Sequence, residues 1–100
     1  MPLLCGGAGP PQDATPEVQD ICDEMKPQAE DKAGKKFDDF NAKSFTSQVV
    51  QGTNFFIKVH VGGDDYVHLR VYRPLPFENK PLELHSLQTD KAAHETIGYF

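Results

Sequence analysis

A chain of 100 residues, 38% hydrophobic and 25% charged, has the size of a single domain with one modest core, which excludes two catalytic lobes closing on a cleft. A formal net charge of -5 opposes a nucleic-acid surface, because affinity for phosphates depends on Lys and Arg displacing condensed counterions. No apolar run approaches the roughly 20 residues that cross a bilayer, and Met1 to Gly6 lacks the basic and apolar regions of a secretory leader, so neither membrane insertion nor secretion is expected.

Met1 to Gln12 holds three Gly and three Pro, a composition that resists regular structure through chain entropy and missing backbone donors. Residues 1–12 therefore read as a flexible tail. Thr15-Pro16-Glu17 marks a helix start: a hydroxyl cap, a ring that presets the first helical φ, and an anion at the positive end of the dipole. Val18, Ile21, Cys22, Met25 and Ala29 recur at the three-and-four spacing of one helix face, with Asp20, Asp23, Glu24, Glu30 and Asp31 on the others. Pro27 removes a backbone donor and predicts a kink or irregular turn near Asp23, and Gly34 supplies a stop.

From Phe37 the period changes to two. Phe40 and Ala42 share one phase and Phe45, Ser47 and Val49 the other, which predicts a bulge near Lys43 and Ser44. Phe55, Ile57, Val59 and Val61 alternate with Phe56, Lys58 and His60, and Val67, Leu69 and Val71 resume after Gly62-Gly63-Asp64-Asp65. That pattern predicts a hairpin with one buried face. Leu82 to Leu87 reads as a further strand, and the apolar Ile97 to Phe100 is placed to close the sheet. Together these elements make an α+β domain over residues 13–100, with one helix packed across the apolar face of a four- to five-stranded antiparallel sheet.

In an antiparallel meander alternate turns lie at opposite ends, so Gln51-Gly52 and Pro74 to Pro76 share one end, away from Gly63-Asp64. A helix of about 18 residues spans roughly 27 Å, enough to run antiparallel to the strand that follows it and bring the tail to that same end. Three segments there carry apolar residues that the core pattern does not require: Leu3-Leu4-Cys5, Val49-Val50 and Leu75-Pro76-Phe77. Taken singly, each reads as an ordinary strand, turn or loop; coinciding at one end, they form a wedge suited to a partner.

Nothing comparable points to catalysis. Cys5 and Cys22 are too few for a disulfide framework and too far apart for a CxxC pair, which predicts reduced thiols and a cytoplasmic location. No local motif ties either thiol to a His base, so no enzyme, cofactor or metal is expected. If the hairpin pairs Val61 with Val67, His60 and His68 face each other. Two imidazoles alone make a poor metal site, and a solvated outer-face pair is the expectation.

Gln48-Val49-Val50-Gln51-Gly52 resembles the QxVxG first-loop motif of the cystatins, and Gln48 to His60, QVVQGTNFFIKVH, is similar to the loop and following strand of the single-domain stefins, or type 1 cystatins. The resemblance extends through Ala14-Thr15-Pro16-Glu17, Val67-His68-Leu69-Arg70-Val71, Leu75-Pro76, Glu78-Asn79-Lys80-Pro81-Leu82 and Tyr99-Phe100, nearly the whole chain. It implies the cystatin fold and reversible, tight inhibition of papain-like cysteine proteases, including cathepsins of the L, S, H and B class. By position, Gly6 matches the family's N-terminal glycine, Gln48 to Gly52 the first binding loop, and Leu75-Pro76 the second. Gln51 stands where stefins usually have Ala, and Phe77 where Gly or His is common, so protease preference stays open.

On this resemblance Leu4 and Cys5 would occupy the non-primed subsites, and Gly6 would let the backbone bend away from the nucleophile. Val49 and Val50 would meet the cleft centre, and Leu75, Pro76 and Phe77 the primed-side wall. The alternative is a protein-binding module of the same fold without significant protease inhibition. A monomer is expected, with two routes to a dimer: exchange of N-terminal halves through the first turn, or a disulfide through Cys5.

Overall fold

A computed structural model of the chain describes residues 10–97 and residue 100; the tail residues Leu4, Cys5 and Gly6 lie outside the described residues. The strands are β1 (Gln12–Asp13), β2 (Asn41–Val50), β3 (Gly52–Gly62), β4 (Asp65–Arg73) and β5 (Glu83–Lys91), with the helix α1 (Pro16–Ala33) between β1 and β2. They form one antiparallel sheet in chain order. The α+β class thus follows the pattern of periods, while β1 is an addition: Gln12 pairs with Phe45 and Asp13 with Ser44.

The helix begins and ends where its local chemistry directs. Thr15 Oγ1 accepts from the Val18 N–H at 3.2 Å, and Gly34 adopts the left-handed conformation at φ 74° while donating its N–H to the Glu30 carbonyl. Pro27 leaves the α-helix unbroken, so no irregular turn forms near Asp23. Asp23 and Pro27 are both exposed, where water can serve the carbonyl that lost its donor.

Val18, Ile21, Cys22, Met25 and Ala29 are buried against the sheet's apolar face, as their spacing requires. The helix does not lie along β2, however, but crosses the sheet. Gln19 accepts from the Ala42 N–H at 2.8 Å and donates to the Phe40 carbonyl at 3.0 Å at the start of β2, whereas Gln28 accepts from the Leu84 N–H of β5 at 3.4 Å. Crossing lets one apolar stripe cover several strands. The β2 bulge falls as expected between Ala42 and Ser44, and the carbonyl of Lys43 accepts from the Ala14 N–H at 3.1 Å, anchoring β1.

Two sequence expectations are corrected. The β3–β4 hairpin pairs Val59 with Val67, not Val61 with Val67, because Gly62 and Asp65 close the turn and the register shifts at Val61. His68 therefore faces Lys58, and His60 faces Tyr66 with the rings 5.0 Å apart. The hairpin is also buried on both faces: Phe56 and His68 on its outer face, beside Thr46 of β2, are as inaccessible as the core. Ile97 is buried too, and on the outer face the Phe100 ring meets Phe56 edge-on at 5.9 Å. Phe100 thus lies over the sheet instead of extending it. Arg70 Nη1 donates to the Phe100 backbone oxygen at 2.7 Å and Lys58 Nζ to the Ala93 carbonyl at 2.6 Å.

Burial pushes His68 down to about 4 from its ordinary 6.5, reinforced by the Lys58 and Lys91 charges and opposed by Glu95. Its Nε2 has no hydrogen-bond partner among the described residues. The folded chain thus refuses a proton that the unfolded chain binds below about pH 6.5. The contribution is fully present above that pH and declines as pH falls toward 4, by on the order of 3 kcal/mol. Denaturant unfolding followed by circular dichroism at pH 7 and pH 4.5 is expected to show a larger stability loss for the wild type than for His68→Gln. Equal losses would mean that His68 does not carry the acid sensitivity.

Candidate functional site

At one end of the sheet the β2–β3 pairing continues to Val50 and Gly52, leaving Gln51 alone at the hairpin tip. Strand alternation puts Gln48 on the outer face with Thr46, and Val49 in the phase of Phe45 at the exposed end of the strand. Gln48 is buried, and its Oε1 accepts from Asn54 Nδ2 at 3.3 Å, so this side chain braces the hairpin and does not project from the tip. Val49 is 81% exposed and Val50 48%. Gly52, just past the tip, is buried at φ 101°, and a Cβ there would lie 2.5 Å from the Arg73 carbonyl oxygen and 2.8 Å from the Tyr72 hydroxyl. Only a residue without a side chain fits between the hairpin and β4.

The second loop is organised from within. Pro76–Glu78 forms a single 3-10 turn; the Glu78 carboxylate accepts from the Leu75 N–H at 3.0 Å, and the Glu78 N–H donates to the Leu75 carbonyl at 3.0 Å. Asn79, at φ 52°, closes the turn with its N–H on the Pro76 carbonyl. Leu75 is half-buried and Pro76 exposed, while Phe77 stands out at 79% exposure. Gly52 and Thr53 line one crevice with Pro74, Leu75 and Pro76, so the two loops are neighbours. Across the same end, Arg73 Nη1 donates to Glu17 Oε2 at 2.6 Å, tying β4 to the first turn of the helix.

What carries the N-terminal segment toward this end is β1. Gln12 pairs with Phe45 and Asp13 with Ser44, so, followed backwards from Asp13, the described chain heads along β2 toward Val49 and Val50. The residues that sequence patterning alone leaves unnoticed are Asn54, Tyr72, Arg73 and Glu78. Tyr72 sits on the polar phase of β4, where alternation gives no sign of a role, and its reach depends on the β3–β4 register.

The Cystatin domain family matches residues 6–94 of the chain. The chain belongs to the cystatin family. It is 54% identical over 100 residues to the Cystatin-B of Oplegnathus fasciatus, with all of both chains covered. It is 56% identical to that of Paralichthys olivaceus and 55% to that of Homo sapiens, each over 98 residues that make 98% of this chain and all of the relative. Cysteine protease inhibition, and not catalysis, is the function that goes with this membership. The free Cys22 fits that reading: burial, with the Asp23 charge as a lesser cause, pushes its thiol up to about 12, far from a nucleophile's range.

The cystatin first loop thus depends on a glycine that no larger residue can replace. Gly52→Ala is expected to destabilise the chain by about 2 kcal/mol or more, combining a clash with backbone and a positive φ. Thermal unfolding of the purified variant measures this, and an unchanged midpoint would mean that the hairpin can move away from β4 at no cost.

Proposed function

We propose that this chain inhibits papain-like cysteine proteases reversibly by filling the active-site cleft with three segments: Leu4, Cys5 and Gly6 of the tail, the Gln48–Gly52 loop, and Leu75, Pro76 and Phe77. One observation carries the reading. The large exposed apolar side chains of the described residues are Val49, Val50 and Phe77, and all belong to the two loops at one end. An apolar edge held by ordered backbone is the mark of a docking surface, because little freedom remains to be lost on binding.

Such an occupant blocks without reacting. A thiolate attacks a carbonyl presented at roughly 3 to 3.5 Å in an aligned geometry, and a wedge that fills both sides of the nucleophile need not present one. Val49 and Val50 would supply apolar contact at the centre, with Gln48 holding them from beneath, and Phe77 would meet the primed-side wall. The direction of β1 supports placing Leu4 and Cys5 in the non-primed subsites, with Gly6 turning the backbone aside.

Cathepsins of the L, S, H and B class are the proposed targets, and the chain is proposed to act as a cytoplasmic monomer. A disulfide-linked dimer would run through Cys5, since the Cys22 thiol is buried.

Titration of papain or a cathepsin L with the protein under reducing conditions tests the reading. The expected result is stoichiometric, reversible loss of activity with the inhibitor chain uncut. Deleting Met1 to Gly6, or introducing Val50→Asp, is expected to weaken inhibition about tenfold or more, as loss of a central anchor does. No inhibition at micromolar protein with the fold intact would favour a binding module of the same fold and another partner.

A further inference from the structure

We propose that Tyr72 is a positioning residue for inhibition, holding the first binding loop in its docking conformation from the neighbouring strand; this rests on the functional reading above. Gln51 is the lone residue at the hairpin tip, and its carbonyl, lying beyond the last ladder pair, needs an acceptor's partner from elsewhere. The Tyr72 hydroxyl donates to it. The same side chain closes on the next residue, since a Cβ on Gly52 would lie 3.0 Å from a Tyr72 ring carbon. Behind it the ring stacks on His85 of β5, centroids 5.4 Å apart and planes at 21°, which fixes the phenol's direction.

The tip is therefore held by three strands where the β2–β3 ladder alone would use two. Only the backbone of Gln51 is engaged in this brace, and its side chain is exposed. Fold and recognition are separated within one residue: the carbonyl anchors the loop, and the side chain stays available to a protease. Val49 and Val50 are then presented from a tip already ordered, so association does not have to order it.

Tyr72→Phe deletes the hydroxyl and keeps the ring. Amide hydrogen exchange of the free variant is expected to be faster than wild type at Gln51 to Thr53 and unchanged in the helix. Its inhibition constant for papain is expected to rise roughly five- to tenfold, the worth of one hydrogen bond, chiefly through faster dissociation. His85→Ala, which keeps the hydroxyl, is expected to cost about twofold. Unchanged loop exchange in Tyr72→Phe would overturn the brace. Weaker inhibition with unchanged exchange would make Tyr72 a direct contact, and faster exchange with unchanged inhibition would remove its part in binding. Failure of the wild type itself to inhibit papain would instead overturn the functional reading, and the role of Tyr72 in it.

Discussion

Because β3 pairs with β4 from Thr53 opposite Arg73 to His60 opposite Tyr66, every side chain on these strands is committed to one face. A slip of one residue would carry Phe55, Ile57 and Val59 away from the helix and bring Phe56 and Lys58 under it. Burial on both faces of β3 makes either exchange costly. The same register decides which part of β4 lies beside the first loop: the Arg73 carbonyl and the Tyr72 hydroxyl, closing on Gly52. The geometry of the proposed binding edge is in this sense inherited from the packing of the core.

At that edge the chain forgoes burial that it could have had. A fully buried valine or phenylalanine is worth about 1.5–3 kcal/mol relative to exposure, yet Val49, Val50 and Phe77 are left in solvent. The backbone carrying them is nonetheless well anchored, by the Gln48–Asn54 and Tyr72–Gln51 hydrogen bonds in one loop and the Leu75–Glu78 pair in the other. Exposed apolar side chains on an ordered frame keep their transfer free energy in reserve for a partner while the entropy cost is met during folding.

Among the described residues the two strongly shifted groups, Cys22 and His68, lie in packing and not in a cleft. Cys22 lies on the buried face of the helix, and His68 on the outer face of the sheet, where Phe100 meets Phe56. Both are held neutral chiefly by desolvation. Perturbed titration often marks catalysis; here neither group meets the other parts of a reacting site, and the His68 shift bears on stability in acid while the raised Cys22 thiol bears only on alkaline pH.

The sequence by itself determined the helix from Thr15 to Gly34, the bulge near Lys43, the alternation of the strands and the coincidence of the two loops, because caps, glycines and periods act over a few neighbouring residues. It also carried the loop residues themselves, since Gln48 to Gly52 and Leu75-Pro76 are contiguous motifs. Only the tertiary structure decided that Gln12 and Asp13 form a strand, that the helix crosses the sheet, that His68 opposes Lys58, and that Tyr72 reaches Gln51. Each of these is a meeting of segments distant in sequence, fixed by register and by which surface is left to cover. Period and composition describe a strand's faces, but they do not say what will pack against them.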